Sequence, residues 1–205
     1  MSQLELADAI GQFPTATLYE AAGKRGDMAP KIRPVVSGVK LVGVALTIRV
    51  WPGDTLAVLR TIDKSPAGTV IVVDAGENDS AAVWGGTSCK ASIVRGIRGC
   101  VTNGCVRDVD EIIALRFPVF AGGVSPRGTQ KNHPGWIGVP ISVGGVTVHS
   151  GDFIVGDTDG IVVVAAAGAE QVLARARAQR DKETDRDARV HAGESLTKIL
   201  ELPPE

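Results

Sequence analysis

The chain has too little cysteine to be stapled. Its three cysteines, at positions 89, 100 and 105, are an odd number with no CxxC pair, so neither a disulfide framework nor a zinc site is encoded. An excess of one charge is also missing: 22 Lys and Arg against 23 Asp and Glu leave a net charge of −1. That excludes the basic field needed to bind nucleic acid nonspecifically or to hold a protein on an anionic membrane. No apolar run approaches the ~20 residues that span a bilayer. The start, MSQLELADAIGQF, lacks the basic region, apolar core and cleavage site of a secretory leader. Nucleotide loops are absent too. No GxGxxG follows a strand, and GGTSCKAS fails the GxxxxGK(S/T) pattern because Cys89 stands before the lysine. The expectation is a cytoplasmic protein with reduced, buried thiols, no membrane span and no nucleic-acid partner.

What the chain does have is glycine, 25 residues spread as punctuation through a length that suits one sizeable domain with an arm. The N-terminal LELADAIGQFPTATLYEAAGKRG reads as two short helices broken at Pro14, with Thr15 placed to cap the second. LVGVALTIRVW alternates as a strand does, and DTLAVLRTID follows as a short helix. GTVIVVDAG is a β-branched run bounded by glycines, the signature of a strand covered on both faces. GGTSCKASIVRG is helical, GCVTNG a short buried strand, VRDVDEIIALRF a helix and PVFAGG another strand. This βαβαβ succession implies a parallel segment with crossover helices. After Gly123, turns at Gly-Gly, Ser-Gly-Asp and Asp-Gly separate short strands, which reads as an antiparallel meander. From Ala167 the tail reads as one long polar helix whose thin apolar stripe leaves its middle solvated or laid on another subunit. The expected division is residues 1–166 for the α/β domain and 167–205 for a C-terminal helical extension.

The chemistry concentrates at two strand-to-helix junctions. In NGCVRDVDE, Arg107 and Asp108 stand side by side. They are open to two readings: a helix start, with acidic residues favoured by the macrodipole at ~0.3–1 kcal/mol each, or a guanidinium for a carboxylate or oxyanion beside a carboxylate for a hard cation. In AVWGGTSCKAS, Gly85 and Gly86 read either as a tight turn or as room for a ligand against the backbone. There the N–H groups of Thr87, Ser88 and Cys89 are a helix's unpaired first donors. If the strands are parallel, both junctions open on one edge of the sheet, and a small carboxylate on a divalent metal fits between them. Ser88 and Cys89 have no identifiable base to make them nucleophiles. Of the three histidines only His133, in the turn-rich loop SPRGTQKNHPG, is placed to line a pocket. GDTDGIVVV reads as a hairpin turn rather than a calcium loop.

The runs VGVALTIRVWPGD, GTVIVVDAGENDSAAVWGG, ASIVRGIRGCVTNGCVRDVDEI, GGVTVHSGD and DTDGIVVV together resemble, in order, the RraA-like family over about residues 15–165. The most specific piece is Gly-x-Val-x-(Asp/Asn)-Gly-x-x-Arg-Asp at 99–108. That family holds the regulators of ribonuclease activity A and the 4-hydroxy-4-methyl-2-oxoglutarate aldolases. The resemblance implies a swivelling β/β/α three-layer domain that assembles as a homotrimer or a hexamer of stacked trimers. It also implies a metal-dependent lyase that cleaves 4-hydroxy-2-oxo acids to pyruvate, with oxaloacetate decarboxylase activity. A non-catalytic regulator of a ribonuclease, acting by protein–protein binding, is the alternative within the family. Carried over, Arg107 is the catalytic and substrate-binding arginine, Asp108 the ligand of Mg²⁺ or Mn²⁺, and Gly85, Gly86, Thr87 and Ser88 complete the pyruvate site. Two positions depart from the pattern. Asn103, read as a turn residue, stands where many members have aspartate, and Gly86 stands where the aldolases usually have an acidic residue.

Overall fold

The computed structural model describes residues 1–76 and 80–203. The chain opens with α1 (Gln3–Ile10) and α2 (Thr15–Ala21), a two-residue strand β1 (Arg33–Pro34) and the long β2 (Leu41–Arg49). The crossover region follows as α3 (Leu56–Lys64), β3 (Thr69–Asp74), β4 (Ala82–Trp84), α4 (Gly86–Val94), β5 (Gly99–Val106), α5 (Val109–Leu115) and β6 (Val119–Val124). Then come β7 (Trp136–Ile137), β8 (Ile141–Val143), β9 (Val146–Val148), β10 (Phe153–Gly156) and β11 (Ile161–Val164), and finally α6 (Ala169–His191) and α7 (Leu196–Ile199).

The main sheet runs β1-β6-β5-β3-β2-β10-β11, with β4 beside β5 and β7 beside β2. β2, β3, β5 and β6 are parallel, as crossover connections through helices allow. Two strands change neighbours along their length, and this curls the sheet. β2 pairs β10 over Leu41–Val44 and β7 over Ile48 and Arg49. β5 pairs β3 up to Thr102, then β4 from Cys105, with the register shifting between.

Asn103 sits at that shift, inside a strand and not in the turn the sequence suggested. Its Oδ1 accepts from Ala75 N (2.7 Å) and its Nδ2 donates to Asp74 Oδ1 (3.0 Å), replacing ladder bonds where β3 ends. Across the bulge a Cβ on Gly122 would collide with the Asn103 carbonyl, so glycine is required there for space.

β3 shows why its sequence is unbroken: Val70 and Val72 face one core, Ile71 and Val73 the other, and all four are fully buried. On the outer face α3, α4 and α5 cover Ile71, Val73 and Cys100. On the inner face the β8–β9 hairpin covers Val70, Val72 and Val101. That gives the β/β/α layering, an α/β fold with a helical C-terminal arm.

Three local expectations are corrected. The strands after Gly123 are not one meander: β8 and β9 form their own two-stranded sheet, while β10 joins β2 and β11 in the main one. Ser150-Gly151-Asp152 carries the chain between layers, held by Thr47 on Ser150 and by His149 N and Ala166 N on the Asp152 carboxylate. Thr15 does not cap α2; it is the first helical residue, and Asp157 accepts both its N–H (2.8 Å) and its hydroxyl (2.6 Å). The tail is two helices, because Gly193 turns left-handed (φ 81°) and Ser195 caps α7. α6 packs its first turns through Leu173 and Ala176. Farther along, Arg180 lies 5.0 Å over the Phe13 ring and Glu183 accepts from Thr17 (3.0 Å). Among the described residues no helix is long and apolar enough to cross a membrane.

Candidate active site

β4 and β5 are parallel neighbours, Trp84 opposite Val106, so their C-terminal ends open on the same edge of the sheet. The first leads through Gly85, the N-cap of α4; the second leads through Arg107 and Asp108 into α5. Two hydrogen bonds lace these loops together. Arg107 N donates to Trp84 O (3.1 Å), and Gly86 N donates to Asp108 Oδ2 (3.2 Å). Gly85, Thr87, Ser88, Arg107 and Asp108 consequently line a single cavity of about 360 Å³. Its opposite wall includes Thr55, Thr129 and Lys131.

The double glycine serves a purpose other than the one expected. Gly85 is fully extended (φ −168°, ψ −172°), a conformation any residue adopts, and neither glycine is left-handed. Space is what demands them. A Cβ on Gly85 would stand 2.8 Å from Asp108 Oδ2 and 3.2 Å from Arg107 Cγ, and one on Gly86 would coincide with the Glu111 carboxylate. The protein's own charged groups occupy the room that the sequence suggested was kept for a ligand. Gly86 does not line the cavity; its contribution is the N–H given to Asp108.

Of the three amides expected to be unpaired, Cys89 N makes the first helical bond, to Gly85 O (3.1 Å). Thr87 N and Ser88 N find no acceptor among the described residues and remain donors for an anion at the cavity wall. Cys89 is no nucleophile. Burial pushes its thiol up to about 11; the Trp84 indole N–H, 3.1 Å from Sγ, opposes this, and the Glu111 and Asp108 carboxylates add to it.

Asp108 adopts a left-handed backbone (φ 57°, ψ 42°) and makes no side-chain cap on α5, whose first-turn acids are Asp110 and Glu111. A non-glycine residue held there costs about 1 kcal/mol or more, so the helix-start reading does not account for it. Its Oδ2 accepts from Gly86 N and lies 3.7 Å from Arg107 Nε, while Oδ1 has no partner among the described residues. The side chain is 44% exposed. One accessible carboxylate oxygen, with no set of three candidate ligands among the described residues, suits Mg²⁺ or Mn²⁺. Such ions keep most of their water and take the rest of their shell from substrate.

Glu111 and Lys90 were missed by the sequence reading. Glu111 lies three residues beyond Asp108, one helical turn on and on the same face, which is the signal that could have found it. It forms an ion pair with Lys90, and this carboxylate holds Lys90 above the ordinary lysine value. Lys90 therefore stays charged and is no Schiff-base amine. Lys131 and His133 both come from the basic, turn-rich loop. Lys131 reaches the cavity described, whereas His133 lines a neighbouring one. His149 and His191 line neither; the first lies beside Asp152 and the second on α6.

The RraA-like family, described as Aldolase/RraA, matches residues 5–163. A protein of Halalkalibacterium halodurans named "Putative 4-hydroxy-4-methyl-2-oxoglutarate aldolase" is 37% identical over 195 residues, covering 94% of this chain and 91% of that one. Among solved structures, an uncharacterized protein from Pseudomonas syringae pv. tomato superposes with a TM-score of 0.88 at 30% identity, covering 99% of this chain and 95% of that one. The RNA-processing inhibitor RraA from Thermus thermophilis superposes at 0.68 and 26% identity, covering 74% of this chain and 92% of its own.

Proposed function

The chain belongs to the RraA-like family, and on that premise we propose that it is a divalent-metal-dependent lyase. It releases pyruvate from 4-hydroxy-2-oxo acids of the 4-hydroxy-4-methyl-2-oxoglutarate type and decarboxylates oxaloacetate. The observation that carries this reading is the lacing of Gly86 N to Asp108 Oδ2, which sets two amide donors, one guanidinium and one carboxylate around a single cavity.

Both reactions generate the enolate of pyruvate, so the site must hold a 2-oxo acid and stabilise negative charge as it grows on the 2-oxo oxygen. Asp108 would hold Mg²⁺ or Mn²⁺ through its open oxygen, and the cation would supply Lewis-acid polarisation of the 2-oxo acid. Arg107 presents its planar guanidinium fork to the developing oxyanion, a contribution of about 3 kcal/mol by analogy with oxyanion-hole donors. The Thr87 and Ser88 amides, at the positive end of α4, receive the substrate carboxylate. Lys90 is tied to Glu111 and lies outside the cavity lining, and among the described residues the amine that does line the cavity is Lys131, a second cation for the substrate's negative charge. We also place the protein in a homotrimer or hexamer, in the cytoplasm; exposed Val190, Leu196 and Leu200 on the helical arm support a second-copy contact.

The test is pyruvate release from 4-hydroxy-4-methyl-2-oxoglutarate and from oxaloacetate, with and without Mg²⁺. Asp108→Ala is expected to abolish the metal-dependent rate while the protein stays folded, and Arg107→Lys to lower it by about a hundredfold, because an ammonium cannot reproduce the fork. Turnover unchanged in Asp108→Ala would reject the assignment. A folded wild-type protein inert on both substrates would favour the regulator reading, to which the likeness to the Thermus inhibitor also lends support.

A further inference from the structure

A second cavity, of about 260 Å³, adjoins the first. Gly128 lines both and is the partition between them. Its backbone is not left-handed, so conformation does not call for glycine. Space does: a Cβ there would lie 3.2 Å from Arg107 Nη1. A side chain at 128 would press on the guanidinium that faces the first cavity and narrow the way into the second.

Among the described residues, basic side chains edge the second cavity. Arg127 and His133 line it, and Lys131 lies just across Gly128 in the first. Arg127 is fixed at its backbone, where its carbonyl accepts from Ala82 N (2.8 Å) and its N–H donates to Ser125 Oγ (3.2 Å). Its guanidinium donates to Ser80 Oγ (3.3 Å) and has no carboxylate partner among the described residues. The His133 ring lies 5.1 Å from the Trp51 ring, which in turn stacks with Trp136 at 6.2 Å.

Among the described residues the acid that lines this space is Asp54, which is only 2% exposed and fully engaged. Its Oδ1 accepts from Leu56 N (2.8 Å) and its Oδ2 from Asn132 N (2.6 Å) and His133 N (3.1 Å). Burial would push this carboxyl up, but those three amides, with His133, outweigh it and hold it below the usual value. Asp54 thus anchors the 130–133 loop and offers no free oxygen to the cavity.

Resting on the reading of the first cavity as a 2-oxo acid site, we propose that the second is the subsite for a distal carboxylate. The 2-oxo acid end lies against Arg107 and the α4 amides, the chain passes over Gly128, and Arg127 with His133 receives the far anion. The protein then selects dicarboxylic 2-oxo acids over their monocarboxylic counterparts, through a charge-assisted pair on Arg127.

The test is binding and needs no turnover. Calorimetry with Mg²⁺ present compares 2-oxoglutarate with 2-oxopentanoate, ligands of the same chain length that differ in the distal carboxylate. Wild type is expected to prefer 2-oxoglutarate by on the order of tenfold or more, and Arg127→Ala to bring the ratio of dissociation constants close to one. Equal affinities in wild type, or a preference that survives in Arg127→Ala and in the Arg127→Ala/His133→Ala double variant, would overturn the subsite. The two readings fail separately. A preference abolished by Arg127→Ala in a protein that releases no pyruvate would keep the subsite and remove the lyase; pyruvate release with no preference would do the reverse.

Discussion

Asp108 carries two burdens at once: a left-handed backbone that favours glycine or asparagine and a carboxylate turned toward its neighbour's amide. Asparagine tolerates the same backbone and keeps an oxygen for Gly86 N, yet loses the charge a hard cation requires. Asp108→Asn is therefore expected to unfold within about 0.5 kcal/mol of wild type and to lose metal-dependent pyruvate release. Thermal unfolding and the coupled assay, run on one preparation, check both. A destabilised but active variant would show that the residue serves the fold. The adjacent charges were legible in the sequence as a candidate pair. What was not legible is that Gly85 and Gly86 are seats for Asp108, Arg107 and Glu111, because a collision across 22 to 25 positions leaves no local trace. Glu111 had a local signal, its place one helical turn beyond Asp108, but its ion pair did not. Its partner Lys90 belongs to a different helix, and only the pairing of β4 with β5 brings the two together.

At the scale of the element, β5 decides where the site forms, since its bulge ends the pairing with β3 and hands the strand to β4. Asn103 holds that transition through Asp74 and Ala75, so aspartate there is not a mild exchange. Asn103→Asp replaces a donor to Asp74 Oδ1 with a second carboxylate at hydrogen-bond distance, and one of the pair must then keep a proton in the folded state. The folded pKa is raised above the unfolded one, so the penalty is absent while the pair stays protonated and appears as pH rises. The variant is expected to melt below wild type at neutral pH, with the gap closing below about pH 4. A pH-independent gap would show that the donor bond, not the charge, matters. The parallel strands could be read from the sequence because their β-branched runs are bounded by glycine and buried on both faces. β4 could not, being three residues with no alternation to detect. The supposed meander failed for a related reason: Gly and Asp mark that the chain turns, not which sheet it turns into.

Across the whole molecule, the order of strands and helices followed from hydrophobic period and turn chemistry, and the layering followed from that order. The curl of the sheet did not, because it arises where β2 and β5 exchange neighbours. The same limit applied to the cavity: its two junctions were each recognisable, but their distance was a property of the fold. The cavity's proposed role makes a thermodynamic demand. If a 2-oxo acid and a divalent cation occupy one space, each must change the other's affinity by the same factor. Calorimetric titration of pyruvate with and without Mg²⁺, and of Mg²⁺ with and without pyruvate, measures both factors. The account predicts two equal factors of about tenfold or more in wild type, both falling to one in Asp108→Asn. Pyruvate and Mg²⁺ that bind wild type without affecting each other would contradict it.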